Sequence, residues 1–196
     1  LAEIGSSLIL TDLRLKLLSN LKNMLTKKFP AIKIYCFKMD VTKENDVKKI
    51  LNTLKKENIN ISVLINNADL NSDYISLKKQ NYIFENFNLK YWKKNLDIGL
   101  TGTFICSKIF GTHMSKNKGG VILNIASDLS VISPNNSIYN LKGKQSYKPV
   151  SYSTVKTGII GLTKYVATHW AKKNIRCNAL SPGGVFTNQN QRFVNK

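Results

Sequence analysis

Tyr152 and Lys156 fall in Tyr152-Ser153-Thr154-Val155-Lys156, at the head of an apolar-periodic stretch. In a helix this spacing places a phenol and an ammonium one turn apart on one face, where the cation makes the phenol a usable acid. A free phenol titrates near ~10, so proton transfer near neutrality needs that help. Ser127, at the end of Asn124-Ile125-Ala126-Ser127, adds a hydroxyl able to orient a substrate oxygen. Together the three would move a proton to or from an oxygen and hold that oxygen while charge develops. Each also has a plainer reading: a partly buried Tyr beside a Lys whose stem lies along it, and a serine that closes a strand.

The elements that must position these groups alternate along the chain. Short apolar strands are separated by longer amphipathic segments, the pattern of an α/β architecture with a mainly parallel sheet. Arg14 to Lys28 carries Leu15, Leu18, Leu21 and Leu25 at helical spacing, and Glu44 to Glu57 carries Val47, Ile50, Leu51 and Leu54. Both stripes should pack on the sheet. Tyr91 to Met114 and Ser153 to Lys172 read as two further long helices. Asp69 to Asn88 reads as a loop with a short helix. Ser133 to Val150 combines Pro134, Asn135-Asn136, Gly143 and Pro149; its Tyr139, Lys142, Lys144, Tyr147 and Lys148 either face an anionic substrate or belong to a solvated loop.

Five segments in order resemble the short-chain dehydrogenase/reductase family, and the resemblance covers nearly all 196 residues. Leu8 to Asp12 is similar to the family's second strand, Phe37 to Val41 to its third, and Leu64-Ile65-Asn66-Asn67-Ala68 to its fourth with the Asn-Asn-Ala-Gly signature. Val121 to Ser127 resembles the fifth strand with its serine, and Arg176 to Gly183 the sixth with its Pro-Gly turn. The resemblance implies a single Rossmann-like domain over residues 1–196, a doubly wound parallel sheet, and NAD(P)-dependent interconversion of a secondary alcohol and a ketone. Tyr152 would be the general acid/base. Lys156 would lower its pKa and bind the nicotinamide ribose, and Ser127 would orient the substrate oxygen.

The same resemblance assigns a cofactor-binding set: Asp12 to the adenosine ribose, Asp40 and Val41 near adenine, Asn67 and Ala68 along the adenosine half, Tyr152 and Lys156 at the nicotinamide end. Pro182, Gly183, Val185 and Thr187 would border the nicotinamide, with Val185 and Thr187 at its carboxamide. Asp12 favours NAD over NADP by repelling a 2′-phosphate, while Arg14 tempers that preference. Asp40 and the Asn67-Ala68 step are equally readable as a strand-end cap and an ordinary turn. Ser127 to Pro134, Lys148 to Tyr152 and Leu180 to Val185 resemble a bacterial branch linked to flagellin-glycan and legionaminic-type sugar biosynthesis, which implies a sugar or nucleotide-sugar substrate. The two long helices correspond to a pair that often forms the family's dimer interface, which implies a homodimer or homotetramer.

Three departures qualify the pattern. The family's first strand and its Thr-Gly-x-x-x-Gly-x-Gly loop, which carries the pyrophosphate on backbone amides and a helix N-terminus, have no counterpart, so the chain is expected to be an internal piece of a longer reading frame that binds dinucleotide weakly and is inactive alone. Gly99 stands where most of the family has a catalytic Asn, with Asn95 one turn earlier as a partial substitute. Asp69 stands where the signature has Gly. These departures keep open an alternative, a non-catalytic Rossmann-like binding or assembly subunit.

Composition narrows the remaining classes. A chain of 196 residues with 42% hydrophobic content can bury one substantial core. No apolar run approaches the ~20 residues needed to cross a bilayer, and no signal-peptide pattern is visible, which points to a cytoplasmic protein. Cys36, Cys106 and Cys177 are odd in number and lie in expected strands or helices, so reduced core thiols are expected. His113 and His169 are the only histidines, and no metal-ligand cluster is visible. The formal charge of +19 raises nucleic acid or an anionic membrane as partners. The lysines are scattered, however, and arginine occurs only at Arg14, Arg176 and Arg192, too few forks for a recognition surface. Neither a nucleic acid nor a membrane is the expected partner.

Overall fold

The computed structural model describes residues 1–70, 82–139 and 147–184. It contains two compact units, Leu1–Asn60 and Ile61–Lys196. Among the described residues every strand pairing is parallel, with two strands paired in the first unit and three in the second, as expected of a Rossmann-like α/β fold.

In the first unit, strand β1 (Leu8–Asp12), helix α1 (Leu15–Lys28), strand β2 (Ile34–Lys38) and helix α2 (Glu44–Lys56) follow in order. Leu8 faces Ile34 and Asp12 faces Lys38 across the β1/β2 pair; two parallel neighbours need a crossover, and α1 supplies it. Strand β1 lies where the sequence placed it. Strand β2 ends earlier than the expected Phe37 to Val41, because Asp40 turns the chain: its Oδ1 accepts from the Thr42 amide at 3.0 Å and the Thr42 hydroxyl at 2.7 Å. Helix α2 buries Val47, Ile50, Leu51 and Leu54, the expected stripe. Its acidic first turn, Glu44 and Asp46, and basic last turn, Lys55 and Lys56, complement the helix dipole. Helix α1 differs from expectation: Leu18 is buried, whereas Leu15 and Leu21 are exposed along with Leu17 and Met24. Two strands offer too little face to cover so wide a stripe.

The second unit contains strand β3 (Val63–Asn66), helix α3 (Leu89–Asn95), a π turn (Leu96–Thr101), helix α4 (Gly102–Ser115), strand β4 (Gly120–Ile125), helix α5 (Val150–His169) and strand β5 (Ile175–Leu180). The sheet order is β3-β4-β5, with Val63 opposite Val121 and Gly120 opposite Ile175. Met114, Ile122, Val166, Ile175 and Cys177 form one core cluster, and Ala126, Val155 and Ile159 another, flanked by Leu96, Leu100 and Ala179. The Trp170 ring lies where a side chain at Gly111 would stand, so only glycine admits it. The helix expected over Tyr91 to Met114 is interrupted by the π turn, and α5 begins at Val150, so that Tyr152 sits inside its first turn.

A buried polar chain fixes the register of this sheet. Asn66 Nδ2 donates to Asn124 Oδ1 at 2.8 Å and to Ser107 Oγ of α4 at 3.0 Å, and Asn124 Nδ2 donates to Thr163 Oγ1 of α5 at 2.8 Å. Each group has its partner, so burial costs little and a slip of one residue would orphan several at once. All three cysteines are free thiols; burial pushes Cys106 up to about 12 and Cys177 up to about 11. Among the described residues no helix is long and apolar enough to cross a membrane, and no group of three His, Cys, Asp or Glu is placed to hold a metal ion.

Candidate active site

Strand β4 delivers Ile125, Ala126 and Ser127 to one end of the sheet. Ser127 has extended backbone, φ −161 and ψ 159, and caps the short 3-10 turn Asp128–Ser130. Its hydroxyl donates to Asp128 Oδ1 at 2.8 Å and accepts from the Leu129 amide at 3.2 Å, while Ser130 Oγ donates to the Ser127 carbonyl. The strand-closing reading of Ser127 is therefore realised, at the same place where the substrate-orienting reading puts it. The chain leaving β5 lies along this turn: Ala126 N donates to Leu180 O at 2.8 Å, and Asp128 N to Pro182 O at 3.1 Å. Pro182 and Gly183 thus border Ser127 and Asp128. Val185 and Thr187, like Lys142 and Lys144, lie outside the described residues.

Helix α5 brings Tyr152 and Lys156 to the same end. Val155 and Ile159 pack on Ala126, and Thr157 Oγ1 donates to Ser130 O at 3.2 Å, which sets the helix's rotation against β4. Lys156 then falls against the strand end, its Nζ donating to Ile125 O at 2.8 Å and pairing with Asp69 Oδ2 at 3.0 Å. The Tyr152 ring lies between two cations, with Lys148 Nζ 4.0 Å and Lys156 Nζ 5.6 Å from its centroid. Among the described residues the Tyr152 hydroxyl has no hydrogen-bond partner. Burial holds Lys148 below the usual lysine range, helped by the Lys156 charge and opposed by Asp69 and Asp128. A cation that burial disfavours, set against a phenol ring, marks this as a candidate site for chemistry.

The other expected residues divide by unit. Asn67 and Ala68 follow β3 and are exposed. In the first unit, Asp12 Oδ1 accepts from Arg14 N at 2.8 Å and Arg14 Nε at 3.1 Å; these bonds, the side-chain one foremost, hold its carboxyl below the usual range. Asp40 is held low chiefly by the Thr42 hydroxyl, with Lys43 Nζ at 3.8 Å from Oδ2, and Val41 lies half-buried in the same turn. Asp40 is thus a strand-end cap. Asn95, expected as a partial stand-in at the relay, is buried, and its Nδ2 donates to Tyr91 O at 2.9 Å within its own helix. The sequence reading missed two site residues. Lys148 was weighed only as a loop lysine, although it precedes Tyr152 by the spacing at which Lys156 follows. Asp69 was marked only as a departure.

A family model described as short chain dehydrogenase matches residues 1–196. The chain is 28% identical over 186 residues to an NAD-dependent glycerol dehydrogenase of Listeria innocua, covering 95% of this chain and 63% of that protein. It is 30% identical over 164 residues to a sorbose reductase of Candida albicans, covering 83% of this chain and 52% of that protein. Among solved structures, an NAD+-bound xylitol dehydrogenase superposes with a TM-score of 0.75 at 26% identity, covering 93% of this chain and 62% of that one. The chain therefore spans about half to two-thirds of the length of these relatives.

Proposed function

The chain belongs to the short-chain dehydrogenase family, and on that premise we propose that it forms part of an NAD(P)-dependent oxidoreductase that interconverts a secondary alcohol and a ketone. The observation that carries this reading is the Tyr152 ring flanked by the Lys148 and Lys156 ammonium groups, with Lys156 tied to the strand end that delivers Ser127. In reduction Tyr152 gives its phenolic proton to the substrate oxygen; in oxidation it takes the proton back. Lys156 offers positive charge to the phenolate as the proton leaves, and Ser127 holds the substrate oxygen in line.

Each unit, taken by itself, offers partners for part of a dinucleotide. Both Arg14 contacts on Asp12 fall on Oδ1, which leaves Oδ2 to accept from ribose hydroxyls. Lys156 Nζ has three protons and, among the described residues, two acceptors, which leaves one donor for a ribose hydroxyl. The bound nicotinamide supplies the hydride. Asp12 favours NAD, and the adjacent guanidinium of Arg14 gives a 2′-phosphate a partner, so both coenzymes belong in the test. Pro182 and Gly183 border the nicotinamide end in this reading.

A sugar or polyol is the proposed substrate class. Relatives named for glycerol and sorbose support it, as does the likeness of residues 127–134 and 148–152 to the branch of flagellin-glycan and legionaminic-type sugar enzymes, which favours an amino-sugar or nucleotide-sugar. The proposed setting is the cytoplasm, in keeping with three free thiols, and the proposed assembly is a homodimer or homotetramer through α4 and α5, which leave Phe104 and Tyr165 exposed. The test is NAD(P)H formation or consumption over a panel of polyols, ketoses, amino-sugars and nucleotide-sugars. Turnover should fall about 10²- to 10⁴-fold in Tyr152→Phe; turnover unchanged by that substitution would sink the assignment.

A further inference from the structure

Lys156 is a deeply buried charge, 5% exposed, and Asp69 is its carboxylate partner among the described residues, Oδ2 to Nζ 3.0 Å. Holding an ammonium away from water without a counter-charge costs several kcal/mol. The placement of Asp69 therefore decides how firmly the cation beside Tyr152 is fixed.

The Asp69 carboxylate lies beside Gly99. A Cβ at Gly99 would stand 3.4 Å from Asp69 Oδ1 and 2.5 Å from Val155 Cγ1. The volume open at Gly99 is thus shared by the Asp69 carboxylate and a γ-methyl of the residue before Lys156. Gly99 itself lies in the π turn Leu96–Thr101, the kind of local widening that accompanies functional sites. Gly99 and Asp69, which looked in the sequence like two unrelated departures, are neighbours in space. Asn95 does not compete for the role, since its amide is engaged by Tyr91 O.

We propose that Asp69 is a positioning residue of the active site, which fixes the Lys156 ammonium at the Ile125 carbonyl and beside the Tyr152 ring. The carboxylate comes from the loop after β3, so the cation is held from two directions: by strand β4 through a carbonyl and by the β3 loop through a charge. The kinetic consequence rests on the oxidoreductase reading; the ion pair does not.

Two measurements separate these. The first is the 15N resonance of the Lys156 ammonium, identified by its loss in Lys156→Met. An ordered ion pair should make it observable, and Asp69→Asn, nearly isosteric, should shift it or broaden it away while the backbone amide spectrum remains that of the folded chain; Asp69→Glu should restore it in part. The second is turnover by the active enzyme, where Asp69→Asn should lower kcat about 10- to 100-fold with KM for the carbonyl substrate changed less than about twofold. An unmoved Lys156 resonance overturns the proposal, and so does a shifted resonance with kcat unchanged. If the unsubstituted enzyme turns over no substrate, the oxidoreductase reading fails and the resonance alone decides the role of Asp69. Gly99→Asn combined with Val155→Ala gives an independent check: a side chain at 99 should displace the carboxylate and reproduce the spectral change of Asp69→Asn.

Discussion

Asp12 and Asp40 close the strands of the Leu1–Asn60 unit by accepting from donors 2 residues away, whereas Asn66 and Asn124 near the strand ends of the second unit, and Lys156 on α5, hydrogen-bond across 31 to 58 residues, and Lys156 pairs with the still more distant Asp69. The first arrangement needs only a local turn and stays partly in water; the Asp12 and Arg14 side chains are 37% and 71% exposed. The second needs three strands and two helices in place before any bond can form. Local carboxylates can therefore be changed with little effect on folding, and long-range polar groups cannot. The same contrast predicts where function and stability are coupled. In the second unit the residues that hold the sheet in register also aim the strand end that carries Ser127 and anchors Lys156.

The largest expected effect tests that coupling. Asn124→Ala removes the acceptor of Asn66 Nδ2 and the donor to Thr163 Oγ1 at a fully buried position. One buried N–H of Asn66 left without its acceptor, together with a small cavity, should destabilise by about 3 kcal/mol, a fall of roughly 10 °C in Tm for a domain of this size. Circular dichroism melts of the variant and the unsubstituted chain measure it. A loss below about 1 kcal/mol would show that the network is decorative and break the contrast between the units.

Lys148 gives a smaller effect with a definite sign. Burial depresses its folded pKa below the ordinary lysine value of 10.5. A depressed folded pKa makes its contribution to stability most favourable above the unfolded pKa and progressively lost as pH falls through the folded one. Lys148→Met should be more stable relative to the unsubstituted chain at pH 7 than at pH 10.5, by melts at both. Should the difference run the other way, Lys148 would be a stabilising cation on the Tyr152 ring and its place in the site would have a purely structural cause.

What the sequence made legible follows the same division. The α2 stripe Val47, Ile50, Leu51 and Leu54 and the spacing of Tyr152 and Lys156 are local periodicities, and local periodicity is what one chain displays. Strand β2 was placed a few residues late because the turn at Asp40 depends on how its carboxylate is used, and an Asp ending a strand looks the same in either case. Helix α1 carried a convincing apolar stripe, yet burial depends on how much sheet lies beneath it, which the helix itself does not encode. The π turn at Leu96–Thr101 and the meeting of Asp69 with Lys156 are products of packing between distant segments. Asp69 was visible as an anomaly of type, and Gly99 as another; that they are neighbours in space required the fold.

The smallest expected effect lies in the first unit. Asp12 is held below its ordinary range mainly by Arg14 through a side-chain hydrogen bond, so its contribution to stability is present above the ordinary aspartate value of 3.8 and lost as pH falls through the folded value. Both partners are exposed, and solvent screening reduces such a pair to about 0.5 kcal/mol. Asp12→Asn should therefore leave the melting temperature at pH 7 within roughly 2 °C of the unsubstituted chain, and the difference should vanish below pH 3. Its larger signature, under the oxidoreductase reading, is in coenzyme choice: removing the charge that repels a 2′-phosphate while keeping Arg14 should raise kcat/KM with NADP relative to NAD. A large loss of stability with no change in coenzyme preference would reverse the comparison, making Asp12 a structural residue like Asn124 and leaving the ribose contact to some other group.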